Sequence, residues 1–485
     1  MNNAIEDVYR TLNGRFKGTL LRSADAGYGE ATRIWNGMFS RRPGLFAFCH
    51  DVSDVQAAVR AAANSGILTA VRCGGHSLAG FSTCDQGLVI DLSPMREVRV
   101  DAETRRAHFS GGCLLGNVDT ATQKEGLAFP AGVVSHTGAA GLVLGGGTGW
   151  LNRLHGLSCD NVEGFTLVVA DGSLVRANGK ENPELFWALR GGGGNFGVVT
   201  EFEVRLHPVT SVILARGLCL GDDIAPILTH WREFMPEAPD NLRWGFSLRI
   251  ADESQNTPPT VRGLPVASVS ALWVGDVDQG RRYLNHALSA AKHAALSVEE
   301  MSFLRLQTMA DSDFPHGRRY YTKSGYFRIL ADQAIQTMIE ALATVPSRAS
   351  EIELAYLGGA AQRVAPEETA FGDRSAPFVV NIISNWADPA EDAANIAWTR
   401  NLFAQLRPAM VPGVYVNFMS GDEEDRVPEA YRERWERLRS IKTTYDPTNV
   451  FRLNHNIPPH PASGRPINGL GETCEGAGIP TNKNG

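Results

Sequence analysis

The sequence predicts an α+β fold made of more than one domain. At 485 residues the chain is too long for a single hydrophobic core, so two to three domains are expected. Its 50 glycines cluster in short runs among apolar segments, which marks tight backbone turns rather than a flexible linker. From about Thr210 onward, long β-like runs alternate with amphipathic helices, the pattern of an antiparallel sheet carrying helices.

Composition narrows the function. Apolar residues make up 43% and charged residues 20%, ordinary globular values. A net charge of -7 gives no basic field for nucleic acid or an anionic membrane surface. The seven cysteines include no C-x-x-C pair, so reduced thiols are expected, with no structural zinc and no other metal. The N-terminus lacks the basic and apolar regions of a secretion signal, and no run approaches the ~18 apolar residues of a membrane span. A soluble cytoplasmic protein is the expectation.

In chain order, residues 53–60 follow a leader ending near Pro43 and predict a helix. Ser53 or Asp54 would cap it, and Val55, Val59 and Ala62 share one face. Residues 67–71 read as a buried strand that opens into Arg72-Cys73-Gly74-Gly75-His76-Ser77. Paired glycines accept φ > 0 and turn successive N–H groups into one concavity, a nest that holds phosphate without lysine. On this loop alone, a turn with a hydrogen-bonded His76 is an equal reading. Residues 87–92, 98–101 and 107–110 read as strands, and 118–125 as a helix ended by Gly126.

The block from Gly138 to Gly149 contains three consecutive glycines and makes a poor helix and a poor strand. It suits either close approach of backbone to a planar or phosphorylated ligand or tight packing of backbone elements. Residues 165–175 predict a hairpin about Asp171-Gly172, then come a helix at 184–190, a third glycine run and a strand at 198–206. Gly192, Gly194 and Gly197 spell G-x-G-x-x-G, but a nicotinamide site needs strand, glycines, helix in that order. Here the helix comes first, which excludes it. Gly75-His76-Ser77-Leu78-Ala79 approximates a serine-hydrolase elbow, yet no helix follows Ser77 and Ala79 replaces the last glycine.

In the second half, β-like runs at Leu242–Ile250, 267–274, 351–357 and Phe378–Trp386 surround a helix at 332–342. A strand at 415–418 and a charged helix at 428–443 follow. Residues 462–485 lack apolar periodicity and are expected to be a disordered tail.

Five stretches, taken in order, resemble the vanillyl-alcohol-oxidase/PCMH superfamily of flavoproteins, specifically the berberine-bridge-enzyme-like oxidases. They are residues 72–77, 138–149, Gly156-Leu157-Ser158-Cys159-Asp160-Asn161, 185–197, and Tyr445-Asp446-Pro447-Thr448-Asn449-Val450-Phe451. The resemblance implies an FAD-binding (PCMH-type) domain over 1–208 that is closed by 413–461, with a substrate domain over 209–412. It assigns FAD binding to Arg72, Gly74, Gly75, Ser77, Val134, Gly138, Gly141, Leu142, Gly145, Asp160, Asn161, Val199 and Asn454. His76 would bond covalently to the flavin 8α-methyl group. Many relatives add a cysteinyl bond at the position of Val134, which valine cannot form, so a single link is expected.

A flavin oxidase removes a hydride from a C–H bond while a base takes the neighbouring proton. The resemblance aligns Tyr415 with a tyrosine that faces the flavin, as base or as positioning donor. Glu351 and Glu353 alternate along one strand and share a face. That face is either solvated or part of the pocket, and the resemblance favours Glu353 as the pocket acid. Lys323 is a weaker pocket candidate. Trp244, Phe246, Trp273 and Trp386 are candidates to line a ring-binding pocket, with some of them facing the core.

Thr137 occupies the position that gates oxygen in the family, where valine accompanies oxidases and leucine dehydrogenases. The expected activity is oxidation of a small alcohol, amine, phenol or polyketide, with O₂ reduced to H₂O₂. Thr137 and Leu142 also resemble a polyketide-modifying branch that works through a flavin N5-oxide, so oxygenation is the alternative. Thr148 departs from the aromatic residue common in relatives. A dehydrogenase using another acceptor and a non-catalytic flavin carrier are further alternatives. No oligomeric state is indicated.

Overall fold

The computed structural model describes residues 3–253 and 257–461, so the expected tail lies outside the described residues. The first part of the chain builds two large sheets and a two-stranded one that pairs Leu127–Ala128 with His207–Pro208. A four-stranded sheet runs in the order Thr19–Arg22, Leu45–Phe48, Leu88–Asp91, Thr69–Arg72, with the last three strands parallel. A five-stranded antiparallel sheet runs Val98–Asp101, Arg106–Ser110, Val198–Arg205, Val162–Val168, Leu174–Asn178. Between residues 211 and 386 lies a seven-stranded antiparallel sheet. Its order is Ala295–Ser302, Ser211–Leu220, Pro265–Trp273, Leu242–Ile250, Glu351–Tyr356, Phe378–Trp386, Arg319–Phe327.

One face of the seven-stranded sheet carries the helices Ile224–Phe234, Val277–Leu288, Asp332–Ala341 and Asp392–Leu406 over a core centred on Trp231, Trp244 and Trp273. Strand alternation decides which side chains face the other way. On Leu242–Ile250 the even residues Trp244, Phe246 and Leu248 enter the core, so Arg243, Gly245 and Ser247 face the opposite side.

Several local expectations change. The helix at 53–60 spans Val52–Ser65 and is capped by Asp51, whose carboxylate accepts from Asp54 N at 3.2 Å. Asp54 is occupied elsewhere, accepting from the backbone N–H groups of Lys17, Gly18 and His50. Asn3–Leu12, within the leader, is a helix whose Ile5, Val8 and Leu12 are buried at helical spacing. The glycine block contains a short helix, Ala139–Leu144, with Gly138 as its N-cap. The helix at 428–443 is two helices, Val427–Tyr431 and Trp435–Tyr445, separated where Arg432 takes φ +52°. Tyr415 belongs to no strand and precedes a 3₁₀ turn, Val416–Phe418.

The C-terminal segment returns to the glycine-rich half through a fully buried ion pair. Lys442 Nζ lies 2.6 Å from Asp446 Oδ2 and donates to Asn195 O at 2.7 Å. Asp446 also accepts from Val450 N and Phe451 N at 2.8 and 2.9 Å. The carboxylate thereby shapes the Tyr445–Phe451 turn, and the lysine ties it to the third glycine run.

Candidate active site

A cavity of about 560 Å³ lies where the glycine-rich loops, the open face of the seven-stranded sheet and the C-terminal segment meet. His76, Gly74, Gly75, Ser77, Val134, Thr137, Gly138, Gly141, Leu142, Val199, Asn454, Tyr415 and Glu353 all border it. Arg72, Gly145, Asp160 and Asn161 do not. Arg72 is spent on Asp91 and Ala31 O, bracing its strand against the next. Asp160 pairs with Arg374 at 2.6 Å and caps Leu157 N, and Asn161 donates to the carbonyls of His155 and Leu157. At Gly145 a Cβ would stand 2.1 Å from Asn417 Oδ1, so this glycine admits a neighbour rather than a ligand.

Lys323 is neither solvated nor in the cavity. On Arg319–Phe327 the even residues Thr322 and Tyr326 border the cavity, and Lys323, on the other face, is buried against Asp422 and Glu423 at 3.1 and 3.4 Å. Trp244, Trp273 and Trp386 lie in cores away from the cavity. Phe246 borders it but packs on Trp231 and Trp244.

His76 sits in the predicted loop, with Gly75 at φ +71°. Its ring stacks on Trp35 at a centroid distance of 4.8 Å, and its Nε2 is 2.7 Å from His136 Nδ1. Burial, followed by the neighbouring His136 and His316, holds its pKa well below the usual histidine value. At neutral pH the ring is therefore an uncharged nucleophile. The donor nitrogens of His76, His136 and His316 all lie within 4.8 Å of one another. The 2.7 Å contact is a hydrogen bond: two nitrogens bound to one tetrahedral zinc would stand ~3.3 Å apart.

The loop fits FAD. The backbone N–H groups of Gly75, His76, Ser77 and Leu78 have no acceptor among the described residues, so a phosphate can take them. Beyond the Gly141 and Gly193 Cα atoms the space a Cβ would enter is clear of backbone, which leaves room for a ligand against both. Gly74 and Gly138 serve a different purpose. A Cβ on Gly74 would stand 2.4 Å from Gly138 N, so this pair lets two backbones touch. Cys73 also borders the cavity, but burial raises its thiol to about 12, which keeps it protonated.

Tyr415 is buried, and its hydroxyl oxygen accepts from Gly147 N at 2.9 Å and Asn417 Nδ2 at 2.8 Å. Burial pushes its pKa up to about 12 despite these bonds. It is thus a phenol with its own proton to donate, not a base at neutral pH.

Glu351 and Glu353 face the cavity together. Glu353 stands opposite Ser247 and Asn381, and Glu351 opposite Arg249 and Ile383. Ser247 Oγ donates to Glu351. Burial pushes Glu351 up to about 7, and the charges of Glu353 and Asp313 act in the same direction. Asp313, more exposed than Glu351, also borders the cavity and adds a third carboxyl to this wall. Asp313, Arg243, His136 and His316 have no motif in the sequence. Only the odd parity of Arg243 on its strand hinted at its direction.

This arrangement has relatives. An FAD binding domain model matches residues 43–178, and a model described as berberine and berberine like matches 414–458. The FAD-linked oxidoreductase YgaK of Bacillus subtilis is 32% identical over 452 residues, 92% of this chain and 98% of YgaK. The chain belongs to the berberine-bridge-enzyme-like family of FAD-linked oxidoreductases. A second member, (R)-6-hydroxynicotine oxidase of Paenarthrobacter nicotinovorans, is 30% identical over 91% of this chain and 97% of its own. The crystal structure of 6-hydroxy-D-nicotine oxidase from Arthrobacter nicotinovorans superimposes with a TM-score of 0.82 at 28% identity, covering 91% of this chain and 98% of that one. As a berberine-bridge-enzyme-like protein the chain is an α+β, FAD-binding oxidoreductase. Among the described residues no helix is long and apolar enough to cross a membrane.

Proposed function

We propose that the protein is an oxidase that converts a small amine to an imine and passes the two electrons to O₂, giving H₂O₂. The observation that carries this reading is the acidic cavity wall, with Glu351 near pH 7 beside Glu353 and Asp313. Such a wall attracts a cationic amine, and a carboxyl of that pKa takes a proton at neutral pH. The chain is 30% identical to (R)-6-hydroxynicotine oxidase, whose named substrate carries an amine, which accords with this reading. FAD, when bound, supplies the two-electron acceptor for the hydride.

The remaining roles belong to the chain. Glu351 accepts the nitrogen proton, and Glu353 and Asp313 hold the negative potential that draws the amine in. Tyr415, with its oxygen fixed by Gly147 and Asn417, donates a hydrogen bond into the cavity. His76 holds the cofactor by a single covalent bond. Six described cysteines are free, which supports a reducing, cytoplasmic setting.

Anaerobic mixing with matched amines, alcohols and phenols tests the reading. Amines alone are expected to bleach the flavin, and bleaching by alcohols or phenols alone would sink the proposal. Flavin is further expected to remain with the wild-type chain after acid precipitation and to be lost from His76→Ala. Free flavin in the wild-type supernatant would refute the covalent bond. Thr137 borders the cavity, and Thr137→Leu is expected to leave anaerobic reduction intact while slowing reoxidation by air roughly 10-fold or more. Wild-type reoxidation that is slow in air but fast with a quinone would make the enzyme a dehydrogenase.

A further inference from the structure

Arg243 is a charge that amine oxidation leaves unused. It stands on the cavity face of Leu242–Ile250, with its guanidinium 4.5 Å from the Trp150 ring centroid. Among the described residues it has no hydrogen-bond acceptor and no ion-pair partner. Three buried guanidinium groups are ion-paired directly: Arg72 with Asp91, Arg374 with Asp160, Arg426 with Glu423. Burial lowers the Arg243 pKa and the charge of Glu353 opposes that, but no carboxylate touches it, so a ligand carboxylate would supply the direct counter-charge it lacks.

The floor beside it is small. Gly245 pairs across the sheet with Ser270, and Ser247 with Ser268, so no large side chain separates Arg243 from Glu353. Along the strand, four positions at ~3.3 Å put Ser247, and Glu353 opposite it, about 13 Å of backbone from Arg243. The cavity therefore offers a cation at one end of an open floor and carboxylates at the other.

We propose that the substrate is zwitterionic: an amine whose nitrogen faces Glu351 and Glu353, and whose carboxylate pairs with the fork of Arg243. This rests on the amine reading above. The planar guanidinium matches a carboxylate with two parallel hydrogen bonds, whereas an uncharged tail would leave it unpaired.

The test uses holoenzyme and two series of increasing chain length, ω-(methylamino)alkanoates and the matching N-methylalkylamines. In wild type the best alkanoate is expected to bleach the flavin anaerobically with an apparent second-order rate constant roughly 10²-fold above its uncharged partner. Arg243→Met should bring that ratio to near one. A wild-type ratio near one, or a ratio that survives Arg243→Met, overturns the proposal. If Arg243→Met does not fold, Arg243→Lys replaces it: the charge stays but the fork is lost, and an undiminished ratio overturns the proposal. If neither series bleaches the flavin, the amine reading fails. The carboxylate assignment is then judged by titrating butanoate and following flavin absorbance. A saturable shift in wild type that Arg243→Met abolishes supports it, and no shift in wild type overturns it. An Arg243→Met protein that purifies without flavin would show that the guanidinium serves the cofactor instead, which also overturns the proposal.

Discussion

Glu351→Gln is expected to slow anaerobic flavin reduction by an amine roughly 10²- to 10⁴-fold at about pH 8, with flavin content unchanged. The isosteric amide keeps the bond with Ser247 but cannot take a proton. The same substitution should stabilise the protein, and the sign follows from linkage. Glu351 is raised in the fold from 4.5 to about 7, so the fold favours its neutral form. That preference is fully present below the unfolded pKa and is lost as pH rises through the folded one. Above about pH 7 the wild type therefore carries a buried charge that glutamine lacks, worth up to about 3 kcal/mol. A variant less active and more thermostable at pH 8, but not more stable at pH 4, is the expected signature. Unchanged turnover would transfer the proton to Glu353.

Lys442→Met is expected to destabilise the fold by about 3–5 kcal/mol, because it leaves the Asp446 carboxylate buried without its cation. Burial already lowers the lysine pKa, and the Asp446 charge and its hydrogen bond oppose that. Asn195 O loses its donor in the same variant, so flavin retention should weaken along with the third glycine run. Chemical denaturation of the two proteins side by side measures this. A loss under about 1 kcal/mol would mean that water or a rearranged side chain replaces the ammonium.

Elements with strong periodicity were legible in the sequence. Leu242–Ile250 and Phe378–Trp386 fall where the β-like runs placed them, and helix Pro183–Leu189 precedes the third glycine run, as the rejection of a nicotinamide site required. Parity also put Glu351 and Glu353 on one face. The resemblance favoured Glu353, whereas the proton is assigned here to Glu351, which is set apart by Ser247 on the neighbouring strand and by Asp313, far off in sequence. Arg72, Asp160 and Lys323 misled for a related reason. A charged residue within or beside a functional-looking motif is as readily claimed by a buried partner, and Asp91, Arg374 and Asp422 are remote in sequence. Within Gly138 to Gly149 the short helix Ala139–Leu144 stops where the three consecutive glycines begin, as their low propensity requires. Tyr415 was misjudged in conformation, since two side-chain and backbone donors rather than a ladder hold it in place.

The account turns on a carboxylate, not a phenolate, taking the proton. Stopped-flow reduction of the flavin by an N-methylated amine, followed anaerobically from about pH 5 to about pH 9, addresses that directly. The amine's own ionisation is common to every variant and divides out against Glu351→Gln. The wild-type ratio is expected to rise with pH through one ionisation near 7 and then level off. A ratio independent of pH, or one still climbing at pH 9 toward the Tyr415 range near 12, would contradict the account.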